Sequence, residues 1–406
     1  MYVLQQVLFP FEVFVKNCDQ DDQIYLALAS VDAEPIKKMF PAYKGVGRHG
    51  YSRAALFRAL VLQKIMQLPG IEALVRCLKY SPQLVHWCGF DTRKPPPSAT
   101  VFYRFLGELK EKAGQELLDQ VAERMIMKTA GLTSSEGIVV IDSTDIPARE
   151  RPKNEQLGSA WGHRTASEEK TELFYGYKFH AAVLLTDIGP LPLAGRLAPA
   201  NVADVEVAPV LIDEACRQHQ MIYGYRPEYY LMDAGYDSNN IYKKAISLKA
   251  QAIIKLNRRN QRKPPEGFLD DGTPLCPAGE AMVFWGSDRK QLTIKFRCPR
   301  AVGQQVECQK ECNSNNSYGP VVRLKVTENP RLYCCPHRGS DKWQKLYNRR
   351  SSIERWFGLL KEHLFFDKMT RRGIDKAFVD VSISVITFLA GTLAQLKQEQ
   401  QNQKAA

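Results

Sequence analysis

Two short apolar runs constrain this chain more than any other feature. Ile138-Val-Val-Ile141 and Tyr229-Tyr-Leu-Met232 are rich in β-branched or aromatic residues, and each is followed by an aspartate, Asp142 and Asp233. Continuous apolar runs of this length read as strands buried on both faces. Residues 174–185, 191–198 and 252–256 read as further strands, the second weakened by Pro192; helices are predicted over 205–219 and 240–248. Strands alternating with helices imply an α/β sheet domain. Strand ends are where open α/β sheets place their sites. If the two strands are neighbours, Asp142 and Asp233 meet at one edge. The bland alternative is that each aspartate only caps a helix or forms a turn, and Asp145 and Asp237 are nearby substitutes.

Residues 1–130 read differently. Ser52 is a candidate N-cap for a helix carrying Leu56, Leu60 and Ile65, Pro69-Gly70 ends it, and Ser98 follows the breaker Pro95-Pro96-Pro97. This predicts a helical N-terminal domain, with Lys44, Arg48, Arg53, Arg58 and Arg104 outside, serving either DNA contact or plain assembly. Residues 131–256 hold the first part of the sheet. In 257–340 the strand–helix rhythm breaks: Arg258, Arg259, Arg262 and Lys263 form a basic run, followed by short β-like pieces and cysteines. We read 257–340 as a β-rich insertion, with helices resuming over 341–396 and a polar, frayed tail over 397–406.

The helix expected to follow the insertion carries Tyr347, Arg350, Glu354 and Lys361. At about 100° per residue their offsets fall at roughly −60°, −20° and −40° from Tyr347, which places all four on one stripe of a single helix. Ile353, Trp356, Phe357 and Leu360 form an adjoining seam that can bury the helix. The charged stripe is either a solvated face or part of a site. Glu354 could join Asp142 and Asp233 as a third carboxylate. Three carboxylates together repel unless cations neutralise them, and hard oxygen ligands with room for water suit Mg²⁺.

Among the 406 residues, 44% are hydrophobic and 25% charged, as in ordinary globular proteins, and the net charge of +12 favours a polyanionic partner or an acidic surface without choosing between them. The most apolar late segment, 378–390, is short and carries Asp380, so it reads as a buried helix rather than a membrane span. No export signal is visible at Met1, so a cytoplasmic location with reduced or metal-bound cysteines is expected. Six of the ten cysteines lie between 276 and 335. Cys276, Cys298, Cys308 and Cys312 could form a structural Zn²⁺ site, with Cys334-Cys335-Pro-His337 as another ligand source; clustering without metal is the alternative. Ten Lys/Arg against five Asp/Glu in 341–376 fit a DNA path or a solvated face.

Tyr347, Arg350, Glu354 and Lys361 match at every spacing the Y-x2-R-x3-E-x6-K signature of DDE transposases from bacterial insertion sequences. Val139-Val-Ile-Asp-Ser-Thr144 resembles that family's first-aspartate strand and Leu231-Met-Asp-Ala-Gly-Tyr-Asp-Ser238 its second. Pro199-Ala-Asn-Val-Ala-Asp204 is similar to the P-A-N-x-x-D segment between them, and residues 50–109 resemble the attached helical domain. Ala234 departs from the basic residue common after the second aspartate.

The resemblance implies an RNase H-like mixed sheet with flanking helices, the third acid lying on a helix after the insertion. It implies Asp142, Asp233 and Glu354 as catalytic ligands of two Mg²⁺ (or Mn²⁺) ions. Tyr347, Arg350 and Lys361 would contact DNA near the scissile phosphate. The partners implied are double-stranded DNA, as element ends and target, and a second copy of the chain in a synaptic dimer, with no membrane. Rival readings are a domesticated, non-catalytic DNA-binding protein and an RNase H-like nuclease without strand transfer. Trp285 is either a packing residue or a platform for a flipped base, Trp161 and His163 lie in a polar loop that could approach the site, and His180 is expected to be structural.

Overall fold

A computed structural model of the chain describes residues 22–41, 50–152, 157–167, 170–257, 263–306, 308, 312 and 318–405. Lys44, Arg48, Arg258, Arg259, Arg262 and the stretch at Met1 lie outside the described residues.

The N-terminal part is helical, as its 3.6-residue periodicity predicts: α1 (Gln23–Ser30), α2 (Glu34–Met39), α3 (Arg53–Ile65), α4 (Ile71–Tyr80), α5 (Pro82–Cys88), α6 (Ala99–Lys110) and α7 (Lys112–Ala130). Ser52 caps α3 by accepting from the Ala55 amide. Ser98 stands at the start of α6, but its side chain makes no capping bond. Arg53 is tied to Glu108 at 2.7 Å, whereas Arg104 is exposed.

The sheet follows: β1 (Ser135–Pro147), β2 (Ala160–Ser167), β3 (Lys170–Thr186), β4 (Gly189–Pro199), then α8 (Asp204–Tyr223), β5 (Tyr229–Met232), α9 (Asn239–Ser247) and β6 (Gln251–Ile254). Side by side, the strands run β4-β3-β1-β5-β6. β1 is antiparallel to β3 and parallel to β5, and β5 is parallel to β6. Three antiparallel strands followed by two parallel ones make up the RNase H-like mixed sheet. The long β3 carries β4 along 177–186 and β2 along 170–176 on the same edge. Pro192 is tolerated because β4 is an edge strand with a register shift at that point.

β1 is longer than its apolar run predicts. Parallel pairing with β5 stops at Val140, but antiparallel pairing with β3 continues to Pro147, with Ile146 buried. Asp142 therefore ends the parallel ladder, not the strand.

The two faces of β1 enter different cores, as a two-residue period requires. Val139 and Ile141 pack with α8 and α12 (Ile374–Ala405), in one apolar cluster that runs on to Leu28 of α1 and Phe57 of α3. Ile138, Val140 and Ile146 pack with Trp343, Ile353, Trp356 and Leu360 of α10 (Asp341–Asn348) and α11 (Ser351–Leu364). α12 contains the buried helix expected over 378–390 but is much longer. It is long and apolar enough to cross a membrane, yet 61% of its most apolar stretch is buried inside the protein. The expected frayed tail is instead helical to Ala405, and Gln398 bonds Gln23 at 2.8 Å.

Between β6 and α10 lies a small antiparallel sheet of β7 (Val283–Asp288), β8 (Thr293–Arg297) and β9 (Val321–Lys325). It has its own core, in which Cys276, Met282, Ile294 and Phe296 are buried. This is the β-rich insertion, and its return to α10 delays Glu354 along the chain.

Candidate active site

Asp142 and Asp233 come together because their strands are neighbours. Val140 pairs with Leu231, so the same register two residues on sets Asp142 beside Asp233. Ile138 and Val140 share a face with Asp142, and Leu231 shares one with Asp233; these residues belong to the cluster under α11. Both carboxylates therefore point to the α11 side.

Asp233 does act as a cap: its Oδ1 accepts from the Gly235 amide at 2.8 Å at the start of a single 3₁₀ turn. Asp142 Oδ1 accepts from the Ser143 amide at 2.8 Å, and its Oδ2 from Arg350 at 3.3 Å. The nearby acids have other surroundings. Asp237 is paired with Arg331 at 2.7 Å and accepts from Tyr242 and the Asn257 amide, which ties the insertion to the sheet. Asp145 is half-buried within range of Lys361 and Lys178.

The single helix expected for Tyr347, Arg350, Glu354 and Lys361 is in fact two. Tyr347 is on α10, Arg350 stands at the N-cap of α11, and Glu354 and Lys361 lie on α11. At the junction the backbone tightens to three-residue bonds, Arg350 N to Tyr347 O at 3.0 Å and Ser352 N to Arg349 O at 3.1 Å, and Ser351 Oγ takes the Asn348 carbonyl. Arg349 and Arg350 keep right-handed helical dihedrals, so the stripe is bent rather than scattered. Arg350 donates to Glu354 Oε1 at 2.7 Å while reaching Asp142. Tyr347 stacks on Trp343 with centroids 4.9 Å apart. Lys361 sits two turns beyond Glu354, roughly 10 Å along the axis, on the Asp145 side. The expected seam is present, with Ile353, Trp356 and Leu360 fully buried and Phe357 nearly so.

Burial raises the Asp142 carboxyl, Asp233 beside it raises it further, and Arg350 pulls the other way; the net is a rise from 3.8 to about 7. Asp233 is also raised, chiefly by burial. Burial would lower Arg350, but Glu354 and Asp142 overcome it and raise that group. Burial and mutual repulsion thus disfavour the charged acid pair more than Arg350 compensates, and its hard oxygen donors fit a divalent cation. Among the described residues no three His, Cys, Asp or Glu side chains are gathered closely enough to hold a metal ion. Asp142 and Asp233 are adjacent, and Glu354 is linked to Asp142 through the Arg350 guanidinium.

Among the described residues the cysteines considered for zinc form no group of three or more that could hold a metal ion. Cys276 is buried in the insertion core, and Cys298, Cys308 and Cys312 are half-buried. Cys334 faces the sheet core, Cys335 the insertion core, and His337 packs against Phe284 and Phe296. Trp285 is exposed and lies over Arg297, whose guanidinium is also 3.5 Å from the Tyr318 ring centre. Trp161 and His163 are on β2, not in a loop, and are exposed; Trp161 packs edge-on to Tyr175. His180 is fully buried on β3, as expected. Asp204 and Ser143 gained no role from sequence reasoning, although both lie inside the quoted motifs. Only the packing of α8 on the sheet brings them together, at 2.8 Å.

Comparison with protein families finds two matches. A family described as Transposase DDE domain matches residues 133–389, and one described as Transposase domain (DUF772) matches residues 13–108. No curated protein matches the chain. The first match spans more than half of the 406 residues and takes in the mixed sheet, both strand-end aspartates, the insertion and α11. The chain therefore belongs to the DDE transposase family.

Proposed function

We propose that this transposase binds the terminal inverted repeats of its own insertion sequence, cleaves the DNA strand there and joins it to target DNA. The observation that carries this reading is the lateral register of Asp142 with Asp233, with Arg350 bridging Asp142 to Glu354. Asp142, Asp233 and Glu354 are the candidate ligands of two Mg²⁺ or Mn²⁺ ions. Bound there, the ions would supply Lewis-acid stabilisation of charge on the attacking and leaving oxygens.

The chain's own groups do the rest. Arg350 compensates Asp142 and Glu354 before cations arrive and offers its guanidinium to a phosphate once they have. Tyr347 and Lys361 flank it along the DNA backbone. The excess of Lys/Arg over 341–376, within a net charge of +12, supports a polyanionic ligand. Two ends must be held together, so the working form is a dimer, acting in the cytoplasm on nucleoid DNA.

The test is Mg²⁺-dependent joining of a duplex carrying the flanking inverted repeat to a plasmid. Glu354→Gln is expected to abolish joining, by about 10³-fold or more, while gel-shift affinity for the duplex stays within a few-fold. Joining retained by this variant would overturn the assignment of Glu354. A protein that binds the repeat but never cleaves it would favour a domesticated DNA-binding role.

A further inference from the structure

Alternation along β1 sends Asp142 to the α11 face and Ser143 to the opposite face, where α8 packs. On that far side a part-buried polar group interrupts the apolar packing. Ser143 Oγ donates to Asp204 Oδ1 at 2.8 Å, and Asp204 is the first residue of α8. The same oxygen lies 3.4 Å from His180 Nδ1 and 3.6 Å from Lys178 Nζ. His180 is fully buried, faces Ser143 across the β1–β3 ladder, and neither ring nitrogen has a hydrogen-bond partner among the described residues. The Tyr236 hydroxyl is also buried, with Ser143 close by but no well-formed hydrogen bond among the described residues. Burying polar groups with incomplete partners is costly, and here the cost falls directly behind the acid pair.

Ser143 joins the two sides. Its hydroxyl is held by Asp204, and its main-chain amide donates to Asp142 Oδ1 at 2.8 Å. At this point β1 has lost its parallel neighbour, since the last β1–β5 pair is Val140 with Leu231. Past that pair the peptide bearing Asp142 keeps its ladder to β3 on one edge, and the bond from Ser143 to α8 adds a hold from the opposite face. We propose that Asp204, acting through Ser143, is a positioning residue that fixes the Asp142 carboxylate for divalent-cation binding. The proposal rests on Asp142 being a metal ligand. Groups that orient a ligand from behind commonly change metal affinity by about 10- to 100-fold when removed.

The experiment measures Mn²⁺ binding to the metal-free, full-length protein by electron paramagnetic resonance, with melting temperature and duplex affinity measured alongside. Asp142→Asn is the control that removes the ligand. Ser143→Ala deletes the bond, Ser143→Thr restores a hydroxyl on a β-compatible side chain, and Asp204→Asn keeps an acceptor but removes the charge. Ser143→Ala and Asp204→Asn are expected to weaken Mn²⁺ binding by about 10-fold or more. Ser143→Thr should retain it, and DNA affinity should not change. Unaltered Mn²⁺ binding in Ser143→Ala, while Asp142→Asn abolishes it, overturns the positioning role and leaves the site assignment standing. Weakened binding in Asp204→Asn alone overturns the route through Ser143. Mn²⁺ binding that survives Asp142→Asn overturns the site reading itself, and this proposal with it.

Discussion

Arg350 donates to Glu354 at 2.7 Å and to Asp142 at 3.3 Å, and among the described residues neither carboxylate has another ion-pair partner. One guanidinium therefore serves two acids, while Asp233 next to Asp142 adds a like charge. The consequence appears in Asp142, whose carboxyl is raised from 3.8 to about 7 by burial and by Asp233. A raised acid binds its proton more tightly in the folded than in the unfolded chain. Ionising it therefore costs folding stability, a cost absent below about pH 4 and fully present above about pH 7. The metal-free protein should thus lose melting temperature as pH rises through that window. Asp142→Asn should flatten the dependence, and added Mg²⁺ should restore stability at the alkaline end by binding the native state. Thermal melts across the window check this; identical pH profiles for the parent and Asp142→Asn would exclude a native-state shift at this residue. The candidacy of Asp142 and Asp233 was readable from their context, each following an apolar run. Their mutual distance was not, because it depends on which strand lies beside which.

At the scale of single elements, the apolar runs located β5, β6 and the start of β1 closely, and periodicity located α8 and α9 to within a few residues. The continuation of β1 to Pro147 was hidden because polar residues occupy it, and only the partner strand β3 keeps it extended. The break between α10 and α11 was hidden for the converse reason. Angular offsets along a sequence assume an unbroken helix, and Asn348 to Arg350 tighten locally without any proline or glycine to announce it. Gly176 marks the point where β3 exchanges β2 for β4 as its outer neighbour. A Cβ there would run into the Ile146 carbonyl and come 2.7 Å from the Ala148 amide, both of them main chain. Gly176→Ala should therefore destabilise the fold by about 4 kcal/mol or more, measured by chemical denaturation. A loss below about 1 kcal/mol would mean that the strand relaxes freely at this crossing.

On the scale of the whole molecule, α12 ties the parts together: Val379, Ile383, Ile386, Leu389 and Leu393 enter the same apolar cluster as α1, α3, α6, α7 and one face of the sheet. The helical N-terminal region and the sheet thus share a core, and Ile386→Ala, at a fully buried position, should cost about 2–5 kcal/mol. It should shift one cooperative transition, seen alike by far-ultraviolet circular dichroism and by tryptophan fluorescence. Two transitions, only one of them moving, would show that the two regions unfold separately. The sequence by itself determined the chemistry available and its order: two aspartates after strand-forming runs, an insertion, then a helix with one acid among bases. Those properties are local, set by side-chain size, branching and spacing. Tertiary structure decided which of these groups meet. Parallel pairing of β1 with β5 brought Asp142 to Asp233, packing of α11 brought Arg350 between the acids, and packing of α8 put Asp204 behind Ser143. Among the described residues it gathered no three of the candidate zinc cysteines into a group that could hold a metal ion. Contacts between residues far apart in the chain depend on the register and packing of whole elements, which no local pattern encodes.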